Sequence, residues 1–222
     1  MKEAEKGIVD PAVVRRLATL ISGGEGIRLE FKRKASFPDK IVKEMIAFAN
    51  TNGGTVLIGV DDDGNMAGLR YPEEEAHVIQ KAIQKYCRPL FEFEEHIILL
   101  SSKKSILRYD IPQSAKRPHH FRISSRKRET YIRVRDMSIK ASHEMVEVVR
   151  RSRQAKNIQF TYGAHESALM RYLDDHPFIT LGEFQELCGL DPFMASRKLV
   201  TLVLANVIRI TPTEKGDLYS RK

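Results

Sequence analysis

The chain has 222 residues, 42% hydrophobic and 30% charged, enough apolar material for one large domain or two small ones. No run approaches the roughly 20 apolar residues that span a bilayer. The opening MKEAEKGIVD has no apolar export core, so a cytoplasmic protein is expected. The net charge of +8 is concentrated: residues 113–156 hold thirteen Lys and Arg against four Asp and Glu, which leaves the rest of the chain at −1. Such a local excess points to an anionic partner, the alternative being a solvated basic face.

Asp10-Pro11 reads as the N-cap and first residue of a helix whose apolar side is Val13, Val14, Leu17 and Ile21. Residues 25–32 alternate Ile, Leu and Phe with charges and predict a half-buried strand, with Arg28, Glu30 and Lys32 on its polar side. Phe37-Pro38-Asp39 opens a second helix that runs to Asn50. Gly53-Gly54 follows, permitting a positive φ and, at Gly54, close approach of another main chain. Residues 55–60 are short, apolar and β-branched, a strand covered on both faces. It ends in Asp61-Asp62-Asp63-Gly64, more acid than a turn requires.

Pro72 begins a long helix to about Cys87, acidic in its first turn and with Lys85 and Arg88 at its end, as the helix dipole favours. Two strands are expected at about 93–100 and 106–111. Residues 113–128 are the most basic segment, and a strand over 130–135 puts Tyr131, Arg133 and Arg135 on one face. Ser142 or His143 starts a helix to about Arg153, and residues 154–163 read as a linker. Three short helices then precede two strands, the element order of a winged helix, with Thr180 to Glu183 as a capping box. The domains expected are 10–153 and 164–222. Cys87 and Cys188 read as reduced thiols.

Three sets of residues carry possible chemistry. Glu25, Glu30 and Asp62 converge if their strands are neighbours; converging acids bind a divalent cation or raise one another's pKa, and the alternative is three ordinary surface acids. Lys116, Arg117, Arg122, Arg126, Lys127, Arg128, Arg133 and Arg135 are suited to phosphates. His119 and His120 join them as a solvated or phosphate-contacting pair, and Phe121 and Tyr131 are suited to base stacking. Arg197 and Lys198 on the third C-terminal helix could face a groove. No GxxxxGK[ST] phosphate loop is present.

Glu25-x4-Glu30-Phe31-Lys32, then Ala47-Phe48-Ala49-Asn50-Thr51-x-Gly53-Gly54 and Ile58-Gly59-Val60-x-Asp62-x-Gly64, resembles the Schlafen/AlbA-type domain, also labelled a divergent AAA domain. Tyr131-Ile132-Arg133-Val134 is similar to a later strand of that domain. The resemblance implies an α+β fold, a mixed sheet with packed helices, here followed by a small winged helix. It also implies DNA binding or regulation, as in bacterial members. In some animal Schlafens a three-acid site cleaves RNA, and those acids would fall on Glu25, Glu30 and Asp62. Animal members place two such domains in one chain as a clamp, so a clamp here would need a homodimer.

The function expected is therefore nucleic-acid binding, as a DNA-binding transcriptional regulator. Binding itself requires no cofactor. The alternative is an endoribonuclease using Mg²⁺ or Mn²⁺ at Glu25, Glu30 and Asp62. A third reading is a protein-interaction module with a merely soluble basic face.

Overall fold

The computed structural model describes residues 9–153 and 158–222. The opening residues 1–8 and residues 154–157 of the expected linker lie outside the described residues. Contacts divide the chain into two compact units, Met1–Ser138 and Ile139–Lys222.

The first unit runs α1 (Pro11–Ile21), β1 (Leu29–Lys32), α2 (Pro38–Asn50), β2 (Gly54–Ile58), α3 (Pro72–Tyr86), β3 (Cys87–Arg88), β4 (Glu94–Ser101), β5 (Lys104–Ile111), β6 (His120–Arg122), β7 (Arg128–Glu129) and β8 (Tyr131–Val134), with β9 (Met137–Lys140) at its end. Its main sheet has the order β1-β2-β5-β4, with β1 and β2 parallel and the other pairs antiparallel. The apolar run of β2 sits inside this sheet, and strand alternation divides it between two cores. Val56 and Ile58 join Met45, Phe48 and Ile79 of α2 and α3. Leu57 joins Leu17 and Ile21 of α1, with Phe31 and Ile106. A second sheet has the order β3-β6-β7, and β8 pairs with β9.

Asp10 caps α1 as read, its Oδ1 accepting the amide of Ala12 at 2.8 Å. Gly53, just before β2, and Gly54, its first residue, do not divide their roles as expected. Gly53 has φ +72°, and a Cβ there would stand 2.7 Å from the Ile111 carbonyl oxygen. Gly54 leaves room for the Phe48 ring, which a Cβ would meet at 2.5 Å. The main-chain approach thus belongs to Gly53. Gly59, φ +104°, ends the strand ahead of the acidic turn.

The second unit holds α4 (His143–Ser152), α5 (Ala164–Asp175), α6 (Leu181–Cys188), α7 (Pro192–Leu204), β10 (Ile208–Thr213) and β11 (Gly216–Arg221). Three hydroxyl or carboxylate caps start its helices. Ser142 Oγ accepts the Met145 amide, Thr180 and Glu183 form the capping box, and Asp191 accepts the amides of Phe193 and Met194. Gly189, left-handed at φ +62°, ends α6. The core is Leu169, Leu173, Phe184, Leu199 and Leu202 with Ile208 and Tyr219 of the hairpin. The β10–β11 register continues to Thr213 opposite Gly216, so only Glu214 and Lys215 form the turn of this hairpin. Ile179 bridges Tyr219, adding a third short stretch to the hairpin. Cys87 and Cys188 are free thiols.

Candidate nucleic-acid interface

The end of α2 fastens the basic part of the chain. Asn50 is buried, and its Nδ2 donates to the carbonyls of His119 and Tyr131, both at 2.9 Å, while its Oδ1 accepts the His119 amide at 2.7 Å. One side chain thereby holds the entry to β6 and the start of β8. His119 is buried, and its Nδ1 donates to the Pro89 carbonyl at 2.8 Å. Burial lowers its pKa, with the Lys116 charge adding to the effect and the Pro89 bond opposing it, so the ring is neutral at pH 7. His119 is thus a structural residue and not the phosphate contact expected of the pair.

The three short strands β3, β6 and β7 carry the cationic surface. Arg88 lies opposite His120, and Arg122 lies opposite Arg128. His120 and Arg122 are two apart on β6, so all four project from one face of the sheet. Phe121 points to the other face, buried and stacked on Tyr86 with ring centroids 4.9 Å apart. The turn between β6 and β7 is closed by Ser124, whose Oγ accepts the Lys127 amide at 3.1 Å and the Arg126 amide at 3.4 Å. Arg88, His120, Arg122, Arg126, Lys127 and Arg128 together line a cavity of about 390 Å³ that no carboxylate enters.

This face gathers Arg122, Arg126, Lys127 and Arg128 from the residues expected to bind nucleic acid. Lys116 is exposed and Arg117 half-buried in the preceding loop, where the Arg117 guanidinium donates to the Ser114 carbonyl at 2.9 Å. Arg135 is exposed just after β8, in the left-handed region at φ +56°. Phe121 and Tyr131 are not available to stack on bases: the first is in the core, and the second is half-buried with its hydroxyl donating to Glu129 at 2.9 Å.

Arg133 is a correction to the sequence reading. Its side chain is 1% exposed. One guanidinium nitrogen lies 2.7 Å from Glu30 Oε2 and the other 2.8 Å from Glu44 Oε2, and the remaining donors reach the carbonyls of Gly26 and Leu29. Its charged plane also lies 5.0 Å from the Phe48 ring centroid. The alternation of β8 aims the residue inward at β1 and α2, and those elements supply the acids. No donor is left for a phosphate.

The same network decides the three acids. β1 and β2 are neighbours, as convergence required, and the Glu25 carboxyl responds to both others. Burial raises its pKa most, the Phe31 amide opposes, and the charges of Glu30 and Asp62 raise it further. Each oxygen set is nevertheless occupied or solvated. Glu25 accepts the Phe31 amide at 2.7 Å, Glu30 is paired with Arg133 and Lys32, and Asp62 is exposed in its turn. Among the described residues no three His, Cys, Asp or Glu are grouped to hold a metal ion. Glu25, Glu30 and Asp62 therefore do not fit Mg²⁺ or Mn²⁺, because Arg133 and Lys32 already neutralise the central carboxylate.

In the second unit Arg197 is exposed on α7. Lys198 is not a free cation: its Nζ donates to Glu166 Oε1 at 2.6 Å. Burial works to raise the Glu166 pKa, but the Lys198 bond, backbone hydrogen bonds including that from Gly163, and the Lys198 charge together lower it.

The Schlafen, AlbA_2 family model matches residues 25–142, more than half of the chain. The chain belongs to the Schlafen, AlbA_2 family. This membership ties it to nucleic-acid-related function. The matched Schlafen, AlbA_2 span holds Glu25, Glu30 and Asp62, the Asn50 clasp and the whole cationic face; α5 to β11 lie beyond it. No curated protein matches the chain. Among solved structures it is similar to the N-terminal domain of a protein from Nitrosomonas europaea named as related to the ATP-dependent DNA helicase RecG. Identity there is 21% over 53% of this chain and 85% of that one, with a TM-score of 0.40. It is also similar to the DIP2311 protein of Corynebacterium diphtheriae, at 15% identity over 93% of this chain and 38% of that one, with a TM-score of 0.45.

Within this Schlafen, AlbA_2 domain, Arg88 is a member of the cationic face that sequence reading did not assign. In sequence it served as the positive end of α3. Its place opposite His120 depends on pairing across more than thirty residues, and no local signal carries that. Among the described residues no helix is long and apolar enough to cross a membrane.

Proposed function

We propose that the chain is a DNA-binding transcriptional regulator that works in the cytoplasm as a homodimer. The observation that carries the nucleic-acid reading is the β3-β6-β7 face. Arg122 and Arg128 lie opposite each other with Arg88 and His120 beside them, and no carboxylate lines the cavity they share. Like charges in direct cross-strand register cost stability, and a polyanion would offset that cost. Such binding needs no cofactor, since the side chains supply all the positive charge. The domain's basic face would hold the backbone.

The helix order and hairpin of the second unit support a winged helix, with α7 as the groove-reading element and Arg197 as its basic contact. Lys198 is spent on Glu166 and contributes to folding. Two copies per site would read a two-fold symmetric target.

Fluorescence anisotropy with labelled duplex DNA and structured RNA tests the reading. Affinity should fall by about 10³-fold or more between about 50 and 200 mM salt if six or more phosphates are contacted. Selection from a random duplex library should return an inverted repeat. No measurable affinity for DNA or RNA at about 50 mM salt would overturn the proposal.

A further inference from the structure

We propose that the cavity lined by Arg88, His120, Arg122, Arg126, Lys127 and Arg128 receives a terminal phosphate monoester, the phosphorylated end of a nucleic-acid strand. Such a role presupposes the nucleic-acid reading above and names the chemical group that this face selects.

The shape of the cationic set comes first. Its members come from three strands and one turn, and they border a single cavity of about 390 Å³. That lies at the small end of ligand sites, which run from about 300 to 1,000 Å³. A backbone in transit presents a line of phosphates and calls for a line of cations. A cup with several cations suits one compact anion.

Charge points the same way. A backbone phosphodiester carries one negative charge, whereas a terminal monoester carries about −1.5 to −2 at neutral pH and offers three acceptor oxygens. The cup holds four arginines and a lysine with no acid among its lining residues. Arg122, Arg126, Lys127 and Arg128 are all exposed at the β6–β7 end. Arginine forks bind such oxygens in pairs.

The lining also excludes base reading as the main contact. No Phe, Tyr or Trp ring borders the cavity, because strand alternation sends Phe121 to the opposite face. The turn is fixed before any ligand arrives: the amides of Ile123 and Ser124 both donate to the Lys127 carbonyl, at 2.9 and 3.1 Å, and the Ser124 hydroxyl accepts two more amides. Ser125 is also on the lining of the same cavity, and its hydroxyl is a further donor type for a phosphate oxygen.

The experiment uses the full chain and a short single-stranded oligonucleotide with an internal fluorophore. Three forms are compared: 5′-phosphate, 3′-phosphate, and hydroxyls at both ends. One phosphorylated form should bind about tenfold tighter than the hydroxyl form, the size of one charge-assisted contact. The Arg122→Gln/Arg128→Gln variant should lose that preference while its circular dichroism melt is no lower than the parent's, since both side chains are exposed and their like-charge pairing is removed. Equal affinity for all three forms overturns the end-recognition role and leaves the nucleic-acid reading standing. No binding of any form overturns the end-recognition role, and the titration with duplex DNA and structured RNA then decides the nucleic-acid reading. A preference that survives in the double variant overturns the assignment to this cavity. Adenosine 5′-monophosphate binding as tightly as the phosphorylated strand overturns the strand as the source of the phosphate.

Discussion

Arg133 Nη2 stands 2.7 Å from Glu30 Oε2, and both side chains are almost wholly removed from solvent. This pair ties β8 to β1, and Glu44 of α2 closes the network from the other side. Removing the guanidinium leaves Glu30 buried beside Glu44 with only Lys32 as counter-ion, which is the costly way to break a buried pair. Arg133→Met should therefore lower stability by about 3–5 kcal/mol in urea denaturation followed by circular dichroism. Arg135→Gln, at an exposed position just past the strand, should leave the midpoint within about 0.5 kcal/mol of the parent. Equal stability of the two variants would contradict the buried network.

Gly53, just before β2, and Gly54, its first residue, give a second contrast. A Cβ at Gly53 would meet the Ile111 carbonyl oxygen and the Gln113 amide nitrogen, both main-chain atoms that cannot turn aside, and φ is +72°. The three atoms nearest a Cβ at Gly54 all belong to the Phe48 ring, a side chain and not main chain. Gly53→Ala should cost more than Gly54→Ala, with each at least about 1 kcal/mol. Phe48→Leu should recover part of the loss in Gly54→Ala and none of it in Gly53→Ala. Thermal melts of the four single and double variants read this directly.

These two sites also show what the sequence could and could not disclose. The helix–glycine–strand run from α2 to β2 was legible because its signals are local: apolar spacing, a glycine pair and a β-branched stretch. The capping box of Thr180 and Glu183 acts within three residues, so it was legible for the same reason, and of the two helix starts expected, Ser142 is the one that caps α4. Arg133 was not. Period-two alternation places it on a face with Tyr131, but which face is buried depends on where Glu30 and Glu44 arrive from elsewhere in the chain. The candidate interface was legible as a basic stretch and illegible as a surface. The pairing that brings Arg88 to His120, and the turn that sets Arg122 against Arg128, follow from long-range strand order.

The pair of Glu166 and Lys198 makes acid stability a test of whether Lys198 is a structural residue. The Glu166 pKa is lower in the folded chain than its ordinary carboxylate value. A depressed carboxylate contributes stability that is present above its unfolded pKa and lost as pH falls through its folded one. The second unit should therefore weaken as pH drops below the ordinary carboxylate range of about 4.3. Methyl resonances of Leu169 and Leu199, both in its core, report this within the full chain. Glu166→Gln should flatten the acid limb. Lys198→Met should cost about 2 kcal/mol at neutral pH, because it leaves a nearly buried carboxylate without its cation. A Lys198→Met chain of parental stability and reduced DNA affinity would return Lys198 to the groove.

The turn residues Arg126 and Lys127 separate phosphate contact from mere surface charge. Neither makes an ion pair among the described residues, and both line the cationic cavity. If each neutralises one phosphate, Arg126→Gln/Lys127→Gln should weaken binding to all sequences alike. It should also flatten the slope of log K against log salt by about 1.8 for duplex DNA, or about 1.4 for a single strand. Lys103→Gln/Lys104→Gln removes the same net charge from the β4–β5 turn and the first residue of β5, outside that cavity. It should lower affinity slightly, through the long-range field alone, and leave the slope near its parental value. The salt slope thus distinguishes a contact from a field, which affinity at a single salt concentration does not. Equal slopes for the two double variants would remove the β6–β7 turn from the interface.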